Sequence, residues 1–254
     1  MTVPVLILAS ASPRRSQLLE QIGVAHRILP VDADETPHAN ETPEKYVVRV
    51  ATEKARHGWE RCGGELPVLA ADTAVVLAGA ILGKPRDEAD AVAMLRALSG
   101  REHRVLSAVA LCFPLPVLTQ EPASTRGHEP CFPPLEKGGT GSGSRGPFGA
   151  GNVPGSLREG EGEQGGCGFL GNRERTALSI SRVRFRALGD DEIRAYCRTG
   201  EPRDKAGAYA IQGVGAVFVE QLEGSYSGVM GLPLFETARL LQAAGVHLLP
   251  ESES

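Results

Sequence analysis

The chain opens on Val3 to Ala9, an unbroken apolar run, and reaches Ser12-Pro13 a few residues later. A run that is apolar at every position has no wet face, so it predicts a strand buried on both sides. A sheet with helices on its faces offers such a place, and serine at the N-cap with proline at the first helical position starts a helix at once. These adjoining signals point to an α/β architecture. With 254 residues, 41% of them hydrophobic, the chain can bury one sizeable core or two modest ones.

The same grammar continues downstream. The first helix should run to about Gln21, with Leu18, Leu19 and Ile22 inward and Gly23 stopping it; a second strand covers roughly 25–31. Thr42-Pro43 repeats the capped-proline start, and Tyr46, Val47, Val50 and Ala51 give a helical stripe up to about Trp59. Residues 66–77 read as a strand interrupted by Ala71-Asp72-Thr73, residues 87–98 as a helix, and residues 103–113 as a strand. Residues 179–188 alternate with period two, the mark of a half-exposed strand, before helices over 190–198 and 232–244.

Between Phe113 and about Arg175 this grammar stops. Glycine and proline crowd into runs such as GGTGSGSRG, and hydrophobic periodicity vanishes. Such a stretch buries too little apolar surface to offset the entropy of ordering it. The expectation is a single domain interrupted at about 114–174 by a disordered Gly/Pro-rich insertion between two adjacent strands, since lengthening a surface loop costs little. Gly141 to Gly146 matches GxGxxG, but with no strand before it and no helix after it the match is a decoy.

Charge and cysteine content narrow the function. A formal net charge of -4 argues against a nucleic-acid partner, though not against a local cationic pocket. The five cysteines are scattered with no CxxC pair, which fits reduced thiols and a cytoplasmic location. The apolar start lacks a basic flank and is too short for a signal peptide or a membrane span. Asn40-Glu41-Thr42 is a chance glycosylation sequon on this view.

Several residues could carry chemistry. Ser10, Ser12, Arg14 and Arg15 stand where a strand meets a helix N-terminus; free amides, hydroxyls and guanidinium forks there suit a polyphosphate. Asp72 is an acidic residue inside an apolar strand, a candidate general base or metal ligand, and Glu35 could supply a second carboxylate. Lys54, Lys84 and Lys205 are each weak alone. They gain weight from residues 204–213 and 224–234, whose small residues suit a backbone folded closely around a ligand. His103 reads as a hydrogen-bonded structural histidine. Walker A, GxSxG and HExxH motifs are absent.

In order, SASPRR, DADETP, ATEKA, AADT, GKPRD, LSGREH, GEPRDKAGAYAIQG and EGSYSGVMGLPL resemble the Maf family of nucleoside triphosphate pyrophosphatases, over Val3 to about Ala244 except the insertion. The resemblance implies a Maf-like (ITPase-like) α/β fold, a mixed sheet flanked by helices with two lobes around a central cleft. It also implies a homodimer, a divalent cation (Mg or Mn) and cleavage of a nucleotide between its α- and β-phosphates. Matched residue by residue, Asp72 is the proton acceptor and, with Glu35, a metal-holding carboxylate. Ser10, Arg14, Lys54 and Lys84 match polyphosphate-binding positions, and Arg15 of SASPRR and Lys205 of GEPRDKAGAYAIQG are expected to bind substrate with them. Arg14, Thr73 and Gln212 resemble the branch acting on dTTP and UTP; the branch acting on 7-methyl-GTP tends to carry tryptophan, glutamine and glutamate there. A non-catalytic nucleotide-binding regulator of septum formation is a further alternative, disfavoured because Asp72, Glu35 and the lysines are all present. The insertion holds none of the matched motifs and is expected to be dispensable for catalysis.

Overall fold

The computed structural model describes residues 3–114, 172–246 and 248. Seven strands, β1 (Leu6–Leu8), β2 (His26–Ile28), β3 (Val68–Leu77), β4 (Ala80–Leu82), β5 (Glu102–Pro114), β6 (Asn172–Phe185) and β7 (Val219–Glu223), form one mixed sheet. Its order is β2-β1-β3-β5-β6-β7, with β4 folded back on β3. β1 runs parallel to β2 and β3, whereas β3, β5, β6 and β7 follow one another antiparallel. Among the described residues there are six α-helices, α1 (Pro13–Gln21), α2 (Pro43–Cys62), α3 (Glu88–Leu98), α4 (Asp190–Arg198), α5 (Tyr226–Met230) and α6 (Leu234–Ala243), and three 3-10 turns at Glu201–Asp204, Ala206–Ala208 and Val214–Phe218. The mixed sheet flanked by helices is the expected fold class.

Two cores lie on the two faces. On one, the α2 stripe of Val47, Val50, Ala51 and Ala55 packs on Ile7, Ala70, Ala108 and Ala110. The close approach depends on Gly58, where an added Cβ would come within 2.7 Å of the Val68 side chain and 3.0 Å of Ala9. On the other face Leu18 and Leu19 of α1, Leu95 and Leu98 of α3, Ile193 of α4 and Leu240 of α6 cover the sheet. Each leucine-sized side chain buried this way contributes about 1.5–3 kcal/mol.

Helix starts follow the sequence closely: Thr42 accepts a hydrogen bond from the Lys45 amide, and Asp87 from that of Asp90. Strand ends drift more. The second strand shrinks to three residues, and β6 begins at Asn172 and stops at Phe185, short of the expected Leu188. Its period-two alternation holds, with Ser181, Val183 and Phe185 buried and Ile180, Arg182 and Arg184 exposed. β5 and β6 pair out to Pro114 opposite Asn172. Of the insertion expected at about 114–174, Pro114 and residues 172–174 belong to β5 and β6, and the rest, with the decoy, falls on 115–171, outside the described residues.

One irregularity positions the site. β1 pairs with β3 only at Val68 and Leu69, and β4 joins the same edge only from Val75 onward. The Ala9 amide donates to the Leu69 carbonyl, so the backbone groups of Leu69 face that edge. By alternation, so do those of Ala71 and Thr73. The sheet therefore has a gap beside residues 70–74, at the carboxyl end of β1, where open α/β sheets hold their ligands.

Candidate active site

Asp72 stands at this gap and projects to the α2 face. Lys54 comes up from α2 to meet it: its Nζ donates to Asp72 Oδ1 at 2.9 Å and to Glu35 Oε1 at 2.7 Å, bridging the two carboxylates. Lys54 is buried, as is Asp72. It lies four residues after Val50 and four before Gly58, within the stripe of α2 that faces the sheet. Lys84 Nζ reaches the other Glu35 oxygen at 3.5 Å. Asp72 Oδ2 receives no hydrogen bond from a described residue, so this oxygen can take a proton or a cation.

The carboxylates are set apart electrostatically. Burial pushes the Asp72 pKa up, and the opposing pull of Lys54 and Arg15 does not cancel it. For Glu35 burial is also the largest single influence, yet Lys54 and Lys84 together outweigh it and hold the carboxyl below its usual range. Asp72 is thus the better base, and Glu35 remains a fixed anion.

The loop carrying Glu35 is held by residues that the sequence reading passed over. Arg49 of α2 donates to the Asp34 and Thr36 carbonyls at 3.1 and 3.0 Å and forks onto Glu41 at 2.8 and 3.0 Å. Tyr46 Oη donates to the Glu35 carbonyl at 3.0 Å. The helical spacing of Tyr46 and Arg49 placed them on one side of α2, but nothing local said that a loop would lie there.

Across the gap, Ser10 lies in the loop between β1 and α1, and its Oγ accepts from Arg15 Nη1 at 3.0 Å and from the Ser12 amide at 3.2 Å. Proline at the first helical position leaves the next amides of α1 free for an anion. Arg15 and Arg14 also donate to the carbonyls of Gly231 (2.9 Å) and Met230 (3.3 Å), which staples the 224–234 segment over the helix start. Burial lowers the Arg15 pKa, with Asp72 pulling the other way; a guanidinium stays charged regardless.

The 204–213 segment closes the arrangement from the side of β3. The Gly207 amide donates to the Gly83 carbonyl, next to Lys84, at 3.0 Å. Gly207 has φ +69, and a Cβ there would meet all three side-chain carbons of Val75 at 2.9–3.0 Å. Ala208 follows at φ 59 while fully buried, a left-handed conformation that costs an alanine about 1–3 kcal/mol. Lys205 pairs with Asp204, whose carboxyl is lowered mainly by that bond and also feels Arg14.

The structure therefore draws Ser10, Arg15, Glu35, Lys54, Asp72 and Lys84 into one network, with Arg14 and Lys205 linked to its rim. Thr73 points to the opposite face of β3 and bonds Ser107 at 2.9 Å. Gln212 is exposed and bonds none of these groups among the described residues. His103 is a structural histidine as expected: its Nε2 lies 2.9 Å from Tyr209 Oη inside an aromatic cluster with Phe185. Counting Arg14, Arg15, Lys54, Lys84 and Lys205 against Glu35, Asp72 and Asp204 leaves positive charge in excess, as an incoming polyphosphate requires.

The family profile described as Maf-like protein matches residues 5–129 and 166–244. The chain belongs to the Maf family. The unmatched residues of this interval, 130–165, fall inside the Gly/Pro-rich segment. Among similar proteins, a dTTP/UTP pyrophosphatase of Aromatoleum aromaticum is 43% identical, over 96% of this chain and 97% of that protein. Another dTTP/UTP pyrophosphatase, from Bordetella parapertussis, is 43% identical over 96% and 94%. A third, from Methylococcus capsulatus, is 44% identical over 95% and 91%. Among the described residues of this Maf protein, no helix is long and apolar enough to cross a membrane.

Proposed function

We propose that this protein hydrolyses nucleoside triphosphates, dTTP and UTP foremost, between the α- and β-phosphates to give the monophosphate and pyrophosphate. One observation carries the reading: a buried carboxylate, Asp72, has one oxygen held by Lys54 and the other open, at a gap in the sheet ringed by cations. The names of the relatives agree with it.

The residues also fit a divalent cation. Asp72 Oδ2 and Glu35 are hard oxygen donors, and one or two carboxylates completed by substrate phosphates is the usual setting for Mg²⁺ or Mn²⁺. When bound, such an ion would neutralise phosphate charge and acidify the attacking water.

The chain's own residues supply the rest. Ser10, the free amides at the start of α1, and Arg15 hold phosphate oxygens, with Lys84 on the opposite rim. Water attacks the α-phosphorus, its proton passes to the Asp72 carboxylate, and the bond from that phosphorus to the α–β bridging oxygen breaks. Pyrophosphate leaves with the bonding electron pair, its charge met by the surrounding lysines and arginines. The raised pKa of Asp72 suits it to accept that proton.

The test is pyrophosphate release from dTTP, UTP, CTP, GTP and 7-methyl-GTP with Mg²⁺ or Mn²⁺, beside Asp72→Asn. Turnover of dTTP and UTP that falls by about 10²–10⁴ in the folded variant is the expected result. Absence of turnover with every nucleotide refutes the proposal. The homodimer and the cytoplasmic location belong to the same proposal and rest on the family alone; light scattering at a monomer's mass would remove the first.

A further inference from the structure

Thr73 is the one residue of β3 that is not buried. It lies directly opposite Ser107 of β5. Because the backbone groups of Thr73 face the gap, this is a non-hydrogen-bonded pair, the kind that brings side chains closest. Their hydroxyl oxygens are 2.9 Å apart, a distance that does not say which one donates.

A third atom decides it. Ser107 Oγ lies 2.6 Å from the Gly228 carbonyl oxygen, and Ser107 is almost wholly buried. A carbonyl only accepts, and a serine hydroxyl has one proton. The Ser107 proton therefore goes to Gly228, and the proton shared with Thr73 belongs to Thr73. With that proton committed inside the protein, Thr73 offers only lone pairs to the opening. Phosphate oxygens at neutral pH are acceptors too, so Thr73 does not bind the polyphosphate. Its partner must be an N–H or O–H donor. The phosphate-holding group is close by: a Cβ at Gly231 would lie 3.8 Å from Thr73 Oγ1 and 3.6 Å from Arg15 Nε.

We propose that Ser107 is a positioning residue for substrate selection: by accepting the Thr73 proton it fixes Thr73 as an acceptor for the ring imide N–H of uracil or thymine. The inference rests on the dTTP/UTP reading above. Those two nucleotides differ at the 2′ position but share the N3–H donor, where cytosine has a bare nitrogen. Without Ser107 the Thr73 hydroxyl can turn its proton outward and serve cytosine as well.

The experiment compares full-length wild type, Ser107→Ala, Thr73→Val and the double variant on UTP and CTP, by kcat/KM for pyrophosphate release. In parallel, calorimetry compares UMP with CMP binding, which does not depend on turnover. Ser107→Ala should reduce the UTP-over-CTP preference about tenfold, the worth of one directional hydrogen bond. Thr73→Val should reduce it similarly, and adding Ser107→Ala to it should change the ratio no further. If Ser107→Ala does not fold, Ser107→Cys, whose sulfur accepts and donates only weakly, should give an intermediate loss. A purely structural Ser107 would lower stability and slow both nucleotides equally; an unchanged ratio, in turnover and binding, overturns the proposal. Wild type that binds UMP no better than CMP also overturns it. Failure of the parent reading is distinct: no pyrophosphate from any nucleotide.

Discussion

Lys54→Met isolates the electrostatics of the site. In the native protein the ammonium sits 2.9 Å from Asp72 and 2.7 Å from Glu35. At an effective dielectric near 20, a pair at that separation attracts by about 6 kcal/mol. Even with that partner, burial remains the largest influence on Asp72 and leaves its pKa raised. Methionine keeps the length of the stem and removes the charge, leaving Arg15 as the main cation acting on Asp72. Losing one close opposite charge moves a carboxyl by roughly one to three pH units. The acidic limb of the kcat/KM profile, which reports protonation of the base, should therefore move upward by that amount. Stability should follow the same pKa, at about 1.4 kcal/mol per unit. A group whose folded pKa exceeds its unfolded value favours folding only while protonated. The Asp72 share of the penalty is accordingly absent in acid and grows as pH rises through the folded pKa. The assays are pyrophosphate release across the pH range and thermal melts at matched pH. A Lys54→Met profile that is lower but keeps the wild-type acidic limb would refute the argument, and would assign Lys54 to phosphate alone.

Three further outcomes follow from the geometry. Burial lowers the His103 pKa from 6.5 to about 4, so its neutral form contributes stability present above pH 6.5 and lost as pH falls through about 4. That window is worth about 3 kcal/mol, and His103→Gln should abolish it in urea titrations at pH 7 and in acid; an unchanged difference between the two pH values would contradict it. Arg49, the largest influence, holds Glu41 down to about 2 from 4.5, so the stability from this pair is present above 4.5 and fades toward 2. Glu41→Gln should flatten acid melts in that interval and loosen the loop bearing Glu35, seen as faster amide exchange at 34–36; native exchange rates there would count against the clamp. Gly207→Ala forces a Cβ onto Val75 at positive φ and should cost about 1–3 kcal/mol, part of which Val75→Ala restores in denaturant titrations. Failure of that second substitution to restore stability would place the strain in the backbone alone.

Much of the fold was legible because its signals are local. Pro13 and Pro43 begin helices where a fixed φ and a missing amide proton favour one, although Thr42 caps its helix through its side chain and Ser12 does not. The alternation of β6 tells which side chains meet the core. The elements that went unread are short ones with little local signature: three-residue β4, five-residue β7, the 3-10 turns between residues 201 and 218, and α5. Lys54 was a candidate from the sequence, and its burial could have been read too, since it occupies a position in the stripe of α2 that faces the sheet. Ser107 could not, because a serine in a strand carries no sign of which carbonyl or hydroxyl it will face.

By itself, the sequence determined the fold class, the helix starts, the family and the identity of the charged residues, because each depends on neighbours in the chain or on a pattern of residue types. The tertiary structure decided what those residues do to one another. It opened the gap at residues 70–74 by ending β1 and starting β4 at particular registers. It left Asp72 with one oxygen engaged and the other without a hydrogen bond from the described residues, and it set the direction of the Thr73 hydroxyl through a carbonyl 121 residues beyond Ser107. Proton positions and pKa shifts depend on distances of a few ångströms between groups remote in sequence, and only the packed chain sets those distances.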